Sequence, residues 1–243
     1  IVDQGSGHFS VNDNLHFLGI TRVLKGRLTP SRHHFIAFVG NHGAVTSPDV
    51  GAPPFDPTRV LVVDGGPHLP VMPSMPTPTL VIAADKGFEH AQALGLKVDV
   101  VVGDFDSVAP EDVANVDPGV TLERHDVDKD DSDLALALRF AYRVGAEHVD
   151  IITGGNGRLD HLLVGSLLLA NSENLGRSIV THCGSSRLVA LGPGQSLALE
   201  NIVGCLISLI SLEDDTRVST QGLKWNLALT DSFPPFSSLG LSN

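Results

Sequence analysis

Short apolar segments recur from Arg59 onward, and each ends in glycine or aspartate; this pattern constrains the fold more than any other feature. Buried strands are predicted at residues 60–63, 80–84, 98–102 and 149–153. Helices are predicted between and after them, at residues 88–94, 133–144 and 158–169, the last one apolar enough to be buried against a sheet. Alternation of strand and helix predicts an α/β domain with a mostly parallel sheet and flanking helices.

The pattern changes beyond Ser178, where strand-like runs follow one another at close intervals with turn residues between them. These runs are residues 179–182, 187–191, 196–199, 205–212 and 217–219. They predict a small all-β sandwich domain. We therefore expect an N-terminal segment of unclear role with a few strands (1–58), an α/β domain (59–175) and a β-sandwich domain (176–243).

Charge and cysteine content limit the partners of the chain. With 16 Lys and Arg against 28 Asp and Glu, the net charge is -12, which opposes nucleic acids and anionic membranes. The two cysteines, Cys183 and Cys205, lack the close spacing of zinc sites or redox dithiols. The sequence has no apolar stretch long enough to span a membrane. We expect a cytoplasmic protein that acts on a small molecule.

Aspartates follow two of the predicted strands. Asp85 comes directly after residues 80–84, and Asp104 and Asp106 lie in the segment Gly103–Ser107 after the next strand. Carboxylates two residues apart can project from one side and share a hard cation such as Mg²⁺, which relieves their mutual repulsion. The alternative is an ordinary polar turn, since Gly, Asp and Ser dominate turns. The presence of Asp85 at the end of another strand favours the metal site over the ordinary turn.

A second acidic segment opens the helix predicted at residues 133–144. Ser132 and one aspartate fit helix capping, since acidic side chains suit the positive end of a helix. Asp130, Asp131 and Asp133 beside Lys129 exceed what capping requires. We therefore expect some of these side chains to face a metal ion or phosphates.

A glycine turn at residues 154–157 joins a strand to a helix. Free backbone N–H groups and the guanidinium of Arg158 favour phosphate there, although the turn matches neither a P-loop nor a dinucleotide fingerprint. By itself, His161 is better explained as a core histidine satisfied by Asp160 or by the backbone.

Four motifs in this order resemble the thiamine pyrophosphokinase family. They are residues 84–87, 103–107, 129–134 and 157–161, and the C-terminal segments 222–225 and 238–243 are similar to that family's second domain. Their order and spacing are more specific than any single motif. The resemblance covers roughly residues 59–243.

This resemblance implies a nucleotide-binding α/β domain and a thiamine-binding β-sandwich in a homodimer with the site at its interface. The implied reaction transfers pyrophosphate from ATP to the hydroxyl of thiamine with Mg²⁺ and releases AMP. The implied roles are catalytic for Asp85, Asp106 and Asp133; metal-binding for Asp104 and Asp106; ATP-binding for Lys129, Asp130, Ser132, Gly157, Arg158, Asp160 and His161; and thiamine-binding for Trp225, Ser242 and Asn243.

Some residues depart from the family pattern. Lys86 and Asn156 stand where the family usually has glycine, and the chain stops at Asn243, where relatives usually continue. Two alternatives stay open: a phosphatase of the haloacid-dehalogenase type with Asp104 as nucleophile, and a nucleotide- or thiamine-sensing module without turnover. For Trp225 the alternative to thiamine binding is a role as an aromatic side chain of the sandwich core.

Overall fold

The structure is a computed structural model, and it describes residues 7–11, 21–24, 34–39, 56–103, 119–125, 130–155, 157–175, 177–199, 204–214 and 216–243. The chain divides into two compact units. The first, here called the α/β unit, contains the described residues of 46–168 and 178–184. The second, here called the β unit, contains the described residues of 1–45, 169–177 and 185–243.

The strands are, in chain order, β1 (Gly7–Val11), β2 (Thr21–Leu24), β3 (His34–Val39), β4 (Arg59–Val63), β5 (Leu80–Ala84), β6 (Val100–Gly103), β7 (Thr121–Arg124), β8 (His148–Thr153), β9 (Ser178–Cys183), β10 (Ser186–Leu191), β11 (Ser196–Leu199), β12 (Leu206–Ser211) and β13 (Val218–Gln221). The described helices are α1 (Gly87–Ala93), α2 (Asp133–Arg143) and α3 (Leu159–Leu167). A 3₁₀ turn, Leu168–Ala170, follows α3.

The α/β unit is built on a parallel sheet with the strand order β9-β8-β4-β5-β6-β7. The predicted α/β domain is confirmed. From β4 the chain adds β5, β6 and β7 on one side and then returns to add β8 on the other side of β4. Neighbouring strands β4 and β8 therefore mark the point where the order of the sheet reverses.

The core of the α/β unit consists of aliphatic strand residues. All side chains of β5 and β6 are buried, as are those of β4 beyond Arg59. One cluster joins the sheet to α1 and includes Leu61, Val81, Phe88 and Ile152. Met72 and Met75 of the proline-rich connection also pack against this cluster. Burial of these apolar surfaces is the main driving force for forming the sheet.

Helix α2 begins as its sequence predicts. The hydroxyl oxygen of Ser132 accepts a hydrogen bond from the backbone N–H of Ala135 (3.3 Å), which caps the helix. Leu134, Ala137 and Leu138 lie on the buried side, and the helix packs on β4, β5 and β6. The helix thereby fixes Asp133 near the ends of these strands.

Helix α3 corrects one expectation. Although apolar, it has no buried residue, and Leu159, Leu163 and Val164 are more than half exposed. It contacts α2, where Gly165 lies close to Leu134. The expectation that this helix is buried against the sheet, which was based on its hydrophobicity alone, is therefore wrong.

Strand β7 was not predicted from the sequence. It is an edge strand, and its residues Thr121–Arg124 are exposed or partly exposed. An edge strand of this kind needs no apolar run, so hydrophobicity does not reveal it.

All the regular structure described in the β unit is β-strand, except for the part of the 3₁₀ turn that belongs to this unit. A four-stranded sheet has the order β13-β1-β11-β2, and β3 pairs in parallel with both β10 and β12. The N-terminal segment thus contributes strands to this unit. The arrangement of the β unit as a sandwich and the domain limits inferred from the sequence stay predictions.

In the described parts of the chain, no helix has the length and apolar character needed to cross a membrane.

Gly87 permits the closest contact between a helix and the sheet. A Cβ atom added there would lie 1.9 Å from the carbonyl oxygen of Val63. Alanine at this position must push the start of α1 away from β4. We therefore expect Gly87→Ala to lower the free energy of unfolding by about 2 to 3 kcal/mol, measured by urea denaturation followed by circular dichroism.

Gly65→Ala is the matched control, because the atom nearest to its added Cβ lies 3.5 Å away. It should change the urea midpoint little. Equal losses in the two variants would contradict the role assigned to Gly87.

Candidate active site at the carboxyl edge of the parallel sheet

The parallel strands of the α/β unit place polar residues along one edge. Asp64 follows β4, Asp85 follows β5, and Thr153 is the last residue of β8. Ligands of open α/β sheets bind beyond the carboxyl ends of the strands. This edge is therefore the candidate site.

Asp85 has a left-handed backbone conformation with φ of 46°. Such a conformation costs a non-glycine residue roughly 1 to 3 kcal/mol and is often found at functional sites. Two hydrogen bonds hold it: its N–H donates to the carbonyl of Val102 (3.0 Å), and its carbonyl accepts from the N–H of Phe88 (3.1 Å). Asp85 is thus fixed between the end of β5 and the start of α1.

Asp133 reaches the same place from α2. A Cβ atom added to Gly103 would lie 3.4 Å from the Oδ1 of Asp133 and 3.6 Å from the Cα of Asp85. The side chain of Asp133 and the backbone of Asp85, two of the three predicted catalytic aspartates, therefore converge on Gly103, immediately before Asp104 in the chain. This convergence is the central geometric feature of the candidate site.

Other residues of the acidic segment differ in their surroundings. Asp131 forms an ion pair with Arg139, so it has a structural role within this part of the chain. Ser132 caps α2, and Asp130 is exposed. Capping and ion pairing thus account for two of the four polar residues that precede Leu134.

Three predicted site residues, Asp104, Asp106 and Lys129, lie outside the described residues, as does Asn156 of the glycine turn. Within the described ranges, no three His, Cys, Asp or Glu side chains are arranged to hold a metal ion. The predicted magnesium site therefore stays a prediction. Carboxylate oxygens are suitable ligands for Mg²⁺, and Gly103, to which Asp133 and the backbone of Asp85 lie close, immediately precedes Asp104 in the sequence.

The glycine turn packs closely against the chain that follows β4. Added Cβ atoms would lie 1.9 Å from the carbonyl oxygen of His68 at Gly154 and 2.7 Å from the Cδ of Pro67 at Gly157. Gly157 also has φ of 108°, which favours glycine. Packing and backbone conformation thus explain these two glycines without a bound phosphate.

Arg158 and Asp160 form an exposed pair just after this turn. The Nε of Arg158 donates to Oδ1 of Asp160 (3.2 Å), and an Nη atom donates to Oδ2 (2.6 Å). The hydrogen bond from Arg158 lowers the pKa of the Asp160 carboxyl. A phosphate that binds Arg158 must share or replace this contact.

His161 is exposed at the start of α3. The explanation of this residue as a buried core histidine is therefore wrong. Its side chain is accessible to a ligand beside the Arg158–Asp160 pair.

Sequence reasoning missed Asp64. Its backbone N–H donates to the carbonyl of Ile152 (3.0 Å), and burial raises the pKa of its carboxyl to about 6. Hydrogen bonds from the Thr153 side chain and the Gly65 backbone act in the opposite direction, as do His161 and His90. The available signal was its position: Asp64 follows a buried strand just as Asp85 does.

The predicted thiamine-binding residues lie together in the β unit. The side-chain oxygen of Asn243 accepts a hydrogen bond from the N–H of Trp225 (2.8 Å). Asn243 is held to Ile207 by two backbone hydrogen bonds of 2.7 and 3.0 Å, and the N–H of Ser242 donates to the hydroxyl of Ser208 (3.2 Å). The C-terminal residues thus fix the backbone of Trp225.

The Trp225 side chain is 57% exposed, so its explanation as a core aromatic is wrong. The ammonium of Lys224 lies 4.2 Å from the ring centroid in a cation–π contact. An exposed indole on a fixed backbone is a suitable surface for a flat ring.

The fold defines an α/β protein, and its acidic carboxyl edge is the candidate ligand site. Residues 75–180 match the family model described as the thiamin pyrophosphokinase catalytic domain. This match confirms the resemblance to the thiamine pyrophosphokinase family. The matched segment contains the predicted acidic residues and the glycine turn.

Solved structures from bacteria are also similar to this chain. A thiamin pyrophosphokinase family protein from Enterococcus faecalis is 32% identical, with 51% of this chain and 61% of that chain covered and a TM-score of 0.46. Thiamine pyrophosphokinase from Bacillus subtilis is 27% identical, with 51% and 59% covered and a TM-score of 0.43. The chain thus spans about three fifths of the length of these structures. No curated protein matches the chain.

Asp64 should make stability depend on pH. Its native pKa of about 6 exceeds its usual value of 3.8, so the native state holds a proton that the unfolded state releases between about pH 4 and pH 6. The contribution of Asp64 to the free energy of unfolding therefore falls as the pH rises through that window. We expect Asp64→Asn to raise the free energy of unfolding at pH 7 by about 1 to 3 kcal/mol, with no gain below about pH 4.

Urea denaturation of both proteins at intervals from pH 4 to pH 8 measures this difference. Parallel stability curves for parent and variant across the range would show that the Asp64 carboxyl is not perturbed by folding.

Proposed function

We propose that this protein is a thiamine pyrophosphokinase that transfers a pyrophosphoryl group from ATP to the hydroxyl of thiamine, with thiamine diphosphate and AMP as products. The observation that carries the proposal is the convergence of Asp85 and Asp133 on Gly103, inside the segment that matches the family. Acidic side chains in this position suit a reaction that depends on charge neutralisation and positioning.

Magnesium is the proposed metal, with Asp104 and Asp106 as its ligands. When bound, it supplies positive charge that offsets the charge developing on the phosphate oxygens. The Oδ1 of Asp133 and the backbone of Asp85 lie beside Gly103, the residue that precedes Asp104 in the sequence. One of Asp85, Asp130 and Asp133 accepts the proton of the thiamine hydroxyl, whose oxygen then forms a bond to the β-phosphorus of ATP. The bond between that phosphorus and the α–β bridging oxygen breaks, and AMP leaves.

Phosphate binding is proposed for the glycine turn and the residues after it. Arg158 and His161 are both exposed at the start of α3, and the N-terminus of a helix favours anions. Asp160 holds the Arg158 guanidinium through two hydrogen bonds. Lys129, Asp130, Ser132 and Gly157 complete the proposed ATP-binding set.

Thiamine binding is proposed for Trp225, Ser242 and Asn243. The hydrogen bond between Trp225 and Asn243 and the exposure of the indole support this assignment. We further propose that the protein is a cytoplasmic homodimer in which the thiamine site of one protomer serves the catalytic edge of its partner.

Release of AMP tests the reaction directly. We expect AMP to form from ATP only when both thiamine and a divalent metal are present, and Asp106→Asn to reduce the rate at least about 100-fold because it removes a metal ligand. AMP can be measured by chromatography, with circular dichroism of the variant as the folding control.

Each alternative gives a different result in the same assay. A phosphatase of the haloacid-dehalogenase type would hydrolyse its substrate without thiamine and form an aspartyl-phosphate on Asp104. A sensing module would bind ligands and release no AMP. Full activity in excess chelator would exclude the magnesium assignment.

Trp225→Ala tests the thiamine site. Loss of a stacking surface worth about 0.5 to 2 kcal/mol should raise the thiamine concentration needed for half-maximal rate roughly tenfold. Affinity for ATP should stay unchanged, because ATP is proposed to bind at the other unit. Since Trp225 is the only tryptophan, its fluorescence in the parent reports thiamine binding without interference.

Lys224→Gln is a useful comparison because it retains the indole. It should preserve the fluorescence response to thiamine. Thiamine binding that is unaffected by Trp225→Ala, together with an unresponsive parent fluorescence, would place the substrate elsewhere.

A further inference from the structure

Lys86 brings a positive charge to the acidic carboxyl edge of the parallel sheet. It follows Asp85 at the end of β5, immediately precedes α1, and is exposed. Within the described ranges, no hydrogen bond or ion pair engages the Lys86 ammonium. An ammonium group donates hydrogen bonds and accepts none, so its partners are anions and carbonyl oxygens. Because Lys86 pairs with no neighbouring carboxylate, its charge is available to a ligand.

The backbone of Lys86 is fixed on both sides. Asp85 before it is held in a left-handed conformation, and Gly87 after it packs against the carbonyl oxygen of Val63. The carbonyl of Lys86 itself accepts a hydrogen bond from the N–H of His90 (3.4 Å). The direction in which the Lys86 side chain leaves the backbone is therefore set by the fold, and only its flexible stem is free to move.

The stem of Lys86 starts beside the loop that follows β4. The Cβ of Lys86 lies 3.5 Å from the place that a Cβ atom would take at Gly65. Further along this loop, Pro67 packs against Gly157 of the glycine turn. Since β4 and β8 mark the point where the order of the sheet reverses, a ligand is expected in the crevice at their carboxyl ends. Lys86 thus stands at the margin of this crevice.

Gly65 leaves room next to the Lys86 stem. Neither packing nor backbone conformation requires glycine there, because the atom nearest to an added Cβ is at the ordinary contact distance of 3.5 Å and the backbone is not left-handed. Glycine also serves where a ligand must approach the backbone closely. A ligand can therefore reach the loop after β4 directly beside the Lys86 ammonium.

An extended polyanion fits these positions best. Gly65 beside Lys86 and Pro67 beside the glycine turn are separated by at most about 7 Å of chain. A polyphosphate at the glycine turn can follow this loop and meet the Lys86 ammonium, which acts on phosphate as a compact point charge. On an edge bordered by Asp64 and Asp85, such a cation reduces the repulsion that the phosphates experience.

We propose that the Lys86 ammonium binds the phosphate chain of the nucleotide substrate where this chain crosses the loop after β4. The contact is ionic, and no covalent bond changes. The inference rests on the proposed function, because it takes ATP as the source of the phosphate chain.

Calorimetric titration of the thiamine-free protein with MgATP tests the proposal. Lys86→Gln removes the charge and retains most of the stem, so we expect it to bind MgATP about tenfold more weakly than the parent. Magnesium tripolyphosphate, which lacks the nucleoside, should lose affinity by a similar factor of about ten. The affinity of the variant for MgATP should also depend less steeply on NaCl concentration, because one ionic contact is absent.

Lys97→Gln is the matched control for net charge. Lys97 is also exposed, but it precedes β6 and so lies at the opposite edge of the sheet. It should bind MgATP as the parent does. Lys86→Arg keeps the charge and should bind within about threefold of the parent. Circular dichroism and urea denaturation verify that each variant is folded.

Chemical acetylation of the parent gives a test that needs no variant. Mass spectrometry measures how fast each exposed lysine is acetylated. With MgATP at about ten times its Kd, acetylation of Lys86 should slow by up to about tenfold, whereas that of Lys97 should not change.

The outcomes separate this inference from the proposed function. Equal affinity of the parent and Lys86→Gln for MgATP, an equal loss in Lys97→Gln, or unprotected acetylation of Lys86 overturns the inference alone. A loss for MgATP without a loss for tripolyphosphate also overturns it, because the contact is then to the nucleoside. Lys86-dependent binding in a protein that releases no AMP with thiamine supports the inference and contradicts the proposed reaction. A parent that binds neither MgATP nor tripolyphosphate contradicts both.

Discussion

Parallel pairing of strands that are buried on both faces is the constraint on which the α/β unit depends. The central strands β4, β5 and β6 accordingly carry no polar side chain beyond Arg59 until they end. All of them end at the same edge, so the first polar residues after β4 and β5, Asp64 and Asp85, share that edge. The chemistry of the unit is thus concentrated at one edge by the hydrophobic requirement of its interior.

Close backbone contacts determine the shape of this edge. Gly87 brings α1 against the Val63 carbonyl, and Gly154 brings the turn after β8 against the His68 carbonyl. These glycines are explained by packing, although a glycine turn before a helix also suggests phosphate binding. The functional argument therefore depends on charged groups whose positions packing does not require, above all Asp85 and Asp133.

The sequence predicted most of the α/β unit because fully buried parallel strands are continuous apolar runs. Strand β5 and helix α2 agree with their predicted limits within one residue. Strand β7 was missed because its exposed edge position demands no apolar residues. The burial of α3 was wrong because an apolar composition does not specify which neighbour covers a helix.

Prediction of the site was limited by contacts between distant parts of the chain. The strand-end rule brought Asp85 to the edge, and the capping motif placed Asp133 at the first turn of α2. Their convergence on Gly103 required the structure. Asp64 differs from an ordinary turn aspartate in its partly buried position and its backbone bond to Ile152 of β8, which no local pattern encodes. Trp225 likewise reads as core or surface from sequence, and only the structure shows its exposure.

The acidic character of the edge implies how it would accept an anionic substrate. Asp64, Asp85 and Asp133 lie at or near the ends of strands in a chain with a net charge of -12. A polyphosphate can bind beside carboxylates only if their charge is neutralised locally. A divalent cation does so at aspartates that remain ionised, as proposed for Asp104 and Asp106. A proton does so more readily at a carboxyl that burial already disfavours as an anion, as at Asp64. At Asp64 the cause is burial, which raises the pKa of the carboxyl and so disfavours its ionised form.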